Sequence, residues 1–527
     1  MFVSQSELYP GIKEIKKKLA ASFLTQSNFG LSCQVVAFAE NNKGATLYLV
    51  SGKISDFAFV VRNRDFKLIF IPSFDFLVSK IWSSLKKIYF GFSGSKKSPS
   101  NGHNTSVSET KNLEEHPVAF VVHQGLNYGD LYQKDIFYSS DPSSKFQAEK
   151  MLHISYSGVY PSSDEVSWAY FSGHELNTRD NIHFVFKSMV KSIIKVRRLR
   201  QLLGVAYLSV YYLRYMSYMH SMEPLKTIKL ALIDYEILCP KPLLLAFESL
   251  KIETVAVQER YIVPIYPCCG TFLSHYLCAS DYCVKVIKSS DSYVVENYVP
   301  VGQYRADYLK DSSYKVPIEL DQAVKSGKRI IDALGFHTVL YSHQSAIQML
   351  LSWSAHAQFL EDMIALADEI EESYVVLRYK FVDWMGLPVF KDILKRISSR
   401  KNIHISMEYS EGYYSYRLCS FADIVIAKHT SLADECLSRG IHTLFHDYTH
   451  NRFDIISSVF DYEGSEIVCH DYEHLFHMSK KILSGDGKSY VEQLQPLYGL
   501  HGDGQVRKRI HHWLNNKLND IEKRVAE

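Results

Sequence analysis

The stretch that most constrains this chain is 417–448, RLCSFADIVIAKHTSLADECLSRGIHTLFHDY. Residues 423–427 (DIVIA) have the length and β-branched content of a buried parallel strand. Lys428, His429, Thr430 and Ser431 then make a short polar turn. The spacing predicts a helix over 432–439, with Gly440 where a C-cap glycine belongs. Residues 441–445 (IHTLF) form the next strand, which ends in His446, Asp447 and Tyr448. Strand, turn, helix and strand in that order make one crossover of a parallel α/β sheet.

Such a crossover offers an anion site. The first N–H groups of its helix have no partners within it, and the helix dipole makes that end positive. Thr430 and Ser431 add hydroxyl donors, and Lys428 or His429 adds charge. Glu435 lies one turn beyond Ser431, where a carboxylate can accept from a ribose diol. The competing reading is a plain βαβ unit in which Ser and Thr are N-caps and Glu435 faces solvent.

At 527 residues the chain exceeds one core and divides into two domains. Early strands are expected at 34–39, 46–50, 57–61 and 67–71, with a helix over 76–89. The Ser/Asn/Lys-rich segment 93–115 reads as a loop insertion. Strands follow at 117–122, ending in His123 and Gln124, and at 151–156. Segment 181–220 is helical in period, basic in its first half and aromatic in its second. From 227 the pattern alternates: strand 228–233 ending in Asp234, Tyr235 and Glu236, helix 241–250, then strand 254–257 ending in Gln258, Glu259 and Arg260. Strands are also expected at 283–287 and 298–301, and the polar segment 306–328 reads as a linker. Beyond it come strand 338–341, helix 353–372, strand 374–379, helix 388–398, strand 402–407 and a basic amphipathic helix over 505–523. The expected organisation is a Rossmann-like domain over 1–325 carrying the 93–115 insertion and the 181–220 helical segment, a second over 326–504, and a C-terminal helix over 505–527.

Charge is balanced, 59 Lys+Arg against 57 Asp+Glu, which argues against a nucleic-acid binder. Nine cysteines lie scattered without CxxC pairs, so zinc is not expected and buried thiols of a cytosolic protein are. The 36 tyrosines suggest tyrosine-rich surfaces or a sugar-facing cleft. The N-terminus lacks a signal-peptide core, and no run reaches the roughly 18 apolar residues of a membrane span, so a cytoplasmic location is expected. The basic segment 187–200 suits either peripheral contact with the inner membrane face or a core helix with a solvated basic side.

Ligands of such sheets bind beyond the carboxyl ends of strands. In the second domain those positions hold Ser342, His343, Arg378, Lys380, His429, Thr430, Ser431, Glu435, Asp447 and Tyr448, a set of donors and cations suited to a phosphorylated ligand. In the first they hold His123, Gln124, Asp234, Glu236, Glu259 and Arg260, groups able to deprotonate a hydroxyl or steady a developing cation. A strand-end Asp is often a helix cap, yet Pro240 and Pro242 keep the next helix away from Asp234. No GxGxxG or GxxxxGK[ST] signature occurs in a fitting context.

The chain resembles glycosyltransferases of the GT-B architecture, in which two facing Rossmann-like domains hold a nucleotide-sugar in a central cleft. The resemblance is carried by ADIVIAKHTSLADECLSRGIHTLFHDYTHN (422–451), similar to the donor-binding segment of bacterial surface-polysaccharide transferases, and by VVLRYK (375–380). LALIDYEILCPKPLLLAFESLKIETVAVQERYI (230–262) resembles segments of polysaccharide-biosynthesis proteins. The GxP of the last crossover is here Gly440-Ile441-His442, and the QHG of several relatives is Gln258-Glu259-Arg260. The resemblance implies transfer to a growing cell-surface glycan or lipid-linked glycan (O-antigen or capsule) without a metal or other cofactor. The donor implied is a UDP-sugar or a CMP-activated acid sugar such as 3-deoxy-D-manno-octulosonic acid. Thr430 and Ser431 would then meet phosphate beside His429, and Glu435 the ribose. Arg378 or Lys380 would steady the leaving group, and Asp234 would act as acid, base or nucleophile with Glu259 or His123 in support. A nucleotide-sugar 2-epimerase and a non-catalytic scaffold of polysaccharide assembly share the same architecture.

Overall fold

The computed structural model describes residues 46–51, 67–72, 116–123, 136–139, 141–156, 167–171, 212, 214–225, 227–258, 271–288, 293–335, 353–379, 382–407, 413–428, 430–448, 465–485, 492–494 and 502–526. Sequence-based strands at 34–39, 57–61 and 338–341, the helix over 76–89, the 93–115 insertion and the basic run 187–200 lie outside these residues. A parallel pair, β1 (Thr46–Ser51) and β2 (Lys67–Pro72), comes first.

The first large sheet contains β3 (Val118–Val122), β4 (Leu152–Ser155), β5 (Trp168–Tyr170), β6 (Leu230–Ile233), β7 (Glu253–Val257), β8 (Phe272–Cys278) and β9 (Val294–Pro300). All are parallel, in the order β5-β4-β3-β6-β7-β8-β9. Both faces are covered, so the period-2 alternation of each strand feeds two cores. Ala119, Val121, Ala231 and Ile233 pack with helix α1 (Lys241–Ser249), helix α2 (Asp281–Lys288) and the helical residues around Tyr215 and Tyr218. Val118, Phe120, Leu230 and Leu232 face the other way.

The second sheet contains β10 (Arg329–Gly335), β11 (Ser373–Tyr379), β12 (Ile403–Ser406), β13 (Ile424–Ala427), β14 (Thr443–His446) and β15 (Val468–Cys469), parallel in the order β12-β11-β10-β13-β14-β15. Its helices are α3 (Ile318–Lys325), α4 (Trp353–Glu369), α5 (Lys391–Ser398), α6 (Tyr414–Ser420), α7 (Ser431–Ser438) and α8 (Tyr472–Leu483). The expected class, two parallel-sheet Rossmann-like units in one chain, is the observed one.

Several sequence readings need correction. Residues 283–287 are helix rather than strand: Cys283 and Ile287, four apart, are the buried pair of α2. The strand there is the preceding β8, fully buried along its length. The polar segment 306–328 is not a bare linker. Ala306, Tyr308 and Leu309 enter the second core, and Leu320 and Ala323 of α3 pack on Ile330 and Val376. Its periodicity was hidden because Ile318, on the same two-turn helix, is 90% exposed. Val301 and Tyr304 pack with the first sheet, and Ala306 packs with the second. The central strand β10 is obscured in sequence by Asp332, a buried carboxylate in an apolar run that accepts from Cys419 Sγ at 3.2 Å. The tyrosines are core as much as surface: Tyr215, Tyr276 and Tyr416 are buried and spend their hydroxyls on Ser249, Glu236 and Glu435.

The C-terminal helix α9 (Val506–Ala526) returns to the first sheet. Val506, Ile510, Leu514, Leu518 and Ile521 form one buried stripe against Val118, Phe120, Leu230 and Leu232. Asp307 caps it, its two carboxylate oxygens accepting from the N–H groups of Val506 (3.1 Å) and Arg507 (2.8 Å). Near the other end, Lys517 and Arg524 bind Glu253 of β7 at 2.7 and 2.6 Å.

Candidate functional site

In each sheet the chain order reverses beside its first strand, between β3 and β6 and between β10 and β13. Sheets of this kind open a crevice at such a point, beyond the carboxyl ends of the strands. His123 follows β3 directly and Asp234 follows β6, so strand order alone makes these two residues neighbours.

The Asp234 N–H donates to the Val121 carbonyl at 3.0 Å, extending the ladder by one residue. Asp234 Oδ2 in turn accepts from the His123 N–H at 3.4 Å. The nearest following helix, α1, begins at Lys241 behind Pro240 with no side-chain cap, so Asp234 is no helix cap. The His123 Nδ1 lies 2.8 Å from the Tyr156 hydroxyl, just beyond β4. Tyr235 adds a ring 5.7 Å from the imidazole. Burial lowers the His123 pKa and so favours its neutral form. Burial first, with Cys239 and Asp234 adding to it, holds the Tyr156 proton well above the ordinary phenol range. Glu236 sits below this cluster, fully buried and accepting from Tyr276 at 2.7 Å. Gln258 accepts from the Ala279 N–H at 3.0 Å through its side chain. Gln124, Glu259 and Arg260 lie outside the described residues.

At the second reversal, Thr430 is the N-cap of α7, its hydroxyl accepting from the Leu432 N–H at 3.4 Å. Thr430 and Ser431 are half-buried, and Gly440 takes the expected left-handed conformation beyond the helix (φ 70°). Glu435 does not face solvent, as the plain crossover reading expects: it is 5% exposed and accepts from Tyr416 at 2.7 Å. Arg378 is buried and donates to Ser415 (2.9 Å) and Ser406 (3.3 Å), with its guanidinium over Tyr414. Asp447 is buried, and Tyr448 stacks on His446 at 3.9 Å. Ser342, His343, Lys380 and His429 lie outside the described residues.

Sequence reasoning missed a buried polar layer beneath this edge. The Lys428 ammonium is 4% exposed and has no hydrogen-bond partner among the described residues. Burial lowers its pKa to about 7, against the pull of Asp447 and Asp362. His356 of α4 is packed by Trp384, Phe390 and Tyr379 at 4.5, 5.2 and 5.4 Å, and neither ring nitrogen has a partner among the described residues. Burial, then Lys428, drives its pKa down to about 3. A signal existed: His356, Phe359, Leu360 and Met363 fall at helical spacing on one apolar face. His446 and Asp362 pair at 2.8 Å alongside. Gly335 completes the layer, since a Cβ there would come within 1.9 Å of the Tyr379 ring.

Among the described residues no group of three or more His, Cys, Asp or Glu is arranged to hold a metal ion. No helix among them is long and apolar enough to cross a membrane. The six described cysteines are free and buried.

No family model and no curated protein matches this chain. Solved structures do. The wall teichoic acid polymerase TagF is 10% identical, covering 85% of this chain and 99% of its own, with a TM-score of 0.44. UDP-GlcNAc 2-epimerase from Neisseria meningitidis, bound to UDP-GlcNAc, is 11% identical over 75% and 99% of the two chains, with a TM-score of 0.40. The E. coli trehalose-6-phosphate structure bound with UDP-2-fluoro glucose is 10% identical over 76% and 98%, with a TM-score of 0.37.

Proposed function

We propose that this chain is a GT-B-type glycosyltransferase that moves a sugar from a nucleotide-sugar donor to a growing cell-surface glycan without using a metal. The observation that carries the reading is the meeting of His123, Asp234 and Tyr156 at the reversal point of the first sheet, in a chain whose second sheet starts a capped helix at its own. Acid–base groups on one unit and the positive N-terminal end of a helix on the other are the two halves that sugar transfer from a phosphate leaving group requires. In this reading Asp234 takes the proton of the acceptor hydroxyl. The acceptor oxygen bonds to the anomeric carbon as the bond from that carbon to the donor phosphate breaks. The electron pair leaves with the nucleotide, steadied by the Thr430–Ser431 end of α7.

The deciding experiment is a thermal-shift panel of UDP, GDP, CDP and CMP, because a ligand bound only by the folded state raises its melting temperature. One stabilising nucleotide identifies the donor class, and none overturns the transferase reading. Turnover of the matching nucleotide-sugar with no acceptor present would instead indicate an epimerase.

A further inference from the structure

Tyr156 and His123 share one hydrogen bond, and the direction of its proton decides what His123 can do. A neutral imidazole has one N–H and one lone-pair nitrogen, while a phenol has a single proton to give. The contact with Nδ1 is the hydrogen bond the Tyr156 hydroxyl makes among the described residues, and the groups around it keep its proton in place. If Nδ1 carried the imidazole proton, the phenol proton of this partly buried side chain would be left without an acceptor among the described residues, which is costly. If the phenol donates, both groups are satisfied and the imidazole proton sits on Nε2. That nitrogen makes no hydrogen bond among the described residues, and the side chain is only half-buried. Among the described residues, the titratable groups around His123 are Tyr156 from the end of β4 and Tyr235 from the end of β6, both beside the ring, and Asp234, which accepts from the His123 backbone N–H.

We infer that Tyr156 is a positioning residue that fixes neutral His123 as its Nε2–H tautomer, making the imidazole a hydrogen-bond donor to a substrate oxygen rather than the base that removes the acceptor's proton. The nature of that oxygen rests on the transferase reading; the tautomer does not. Among the described residues of this cluster, proton removal then falls to Asp234. His123 holds and stabilises an oxygen while charge builds on it, which is the way neutral donors assist such steps.

The test uses the full chain labelled with ¹⁵N-histidine, with His123→Gln identifying the His123 signals by difference. The expected spectrum at neutral pH shows the proton on Nε2. In Tyr156→Phe, which removes one oxygen, the Nε2–H fraction falls and the His123 pKa rises, because a donor that favoured the neutral ring is gone. A proton on Nδ1 in the wild type, or an unchanged tautomer and pKa in Tyr156→Phe, overturns the inference. Activity supplies a second arm, since the glutamine amide nitrogen reaches the Nε2 position and can donate but cannot act as a base. His123→Gln should stay within about tenfold of wild-type turnover while His123→Ala loses about a hundredfold. Equal losses overturn the donor role. A protein that binds no nucleotide but shows the expected tautomer fails the transferase reading and leaves the Tyr156 assignment standing.

Discussion

At the carboxyl end of β3 and β6, ionisable side chains stand half-buried and hydrogen-bonded: His123 to Tyr156, and Asp234 to the His123 N–H. At the matching end of β10 and β13, two of the described ionisable groups lie inside. Lys428 and His356 are almost wholly buried, with no hydrogen-bond partner among the described residues. Thr430 and Ser431 are half-buried beside them. The strand order is shared, so topology does not account for the contrast. What differs is the covering. Helix α4 lays Phe359 and His356 over the second edge, whereas α1 begins seven residues after Asp234 and leaves the first edge open among the described residues. An open edge suits proton transfer, and a closed one suits rigid presentation of backbone N–H groups.

The largest expected effect is at the open edge. Asp234→Asn should lower sugar transfer by about 10²–10⁴-fold while leaving the nucleotide thermal shift in place. Loss of both would make Asp234 a binding or folding residue and erase the contrast.

Acid should break the closed edge first. His356 titrates near 6.5 when unfolded and near 3 when folded, so its contribution is intact above pH 6.5 and is lost as pH falls toward 3. At pH 4 the loss is about 3 kcal/mol, read as the difference between denaturation midpoints at pH 7 and pH 4. His356→Phe should flatten that difference, and an unchanged slope would show the imidazole to be solvated.

Gly335→Ala should destabilise the second unit by about 1–3 kcal/mol, because the added methyl must displace the fully buried Tyr379 ring. A neutral result in urea denaturation would mean that the layer beneath the edge is loosely packed. Smallest is Thr430→Ala, about 1 kcal/mol for a lost N-cap. If α7 also seats a phosphate, the same substitution should reduce the nucleotide shift, which Thr430→Ser should retain.

Glu253 shows how the returning helix is tied down. Burial would raise its carboxyl pKa, but hydrogen bonds from His275, Lys517 and Arg524 outweigh that and hold it at about 2. The pairing is therefore present above the ordinary carboxylate range and is lost only as pH falls through about 2. The α9–β7 join should outlast the acid weakening at His356.

Local pattern alone determined the second crossover. The run 423–427, the helix behind Thr430 and Gly440 beyond it all stand where the sequence puts them, because each depends on residues within a turn or two. It also picked out His123 and Asp234 as strand-end groups, without showing that they meet. Tertiary structure decided that meeting, since it depends on β6 pairing with β3 across more than a hundred residues. It also decided that Tyr156 reaches the imidazole, that Asp332 can sit within a central strand, and that the last helix closes the first core. Periodicity reports which face of an element is apolar, but not which distant element covers it; that is settled when the strands order themselves and the helices choose their sides.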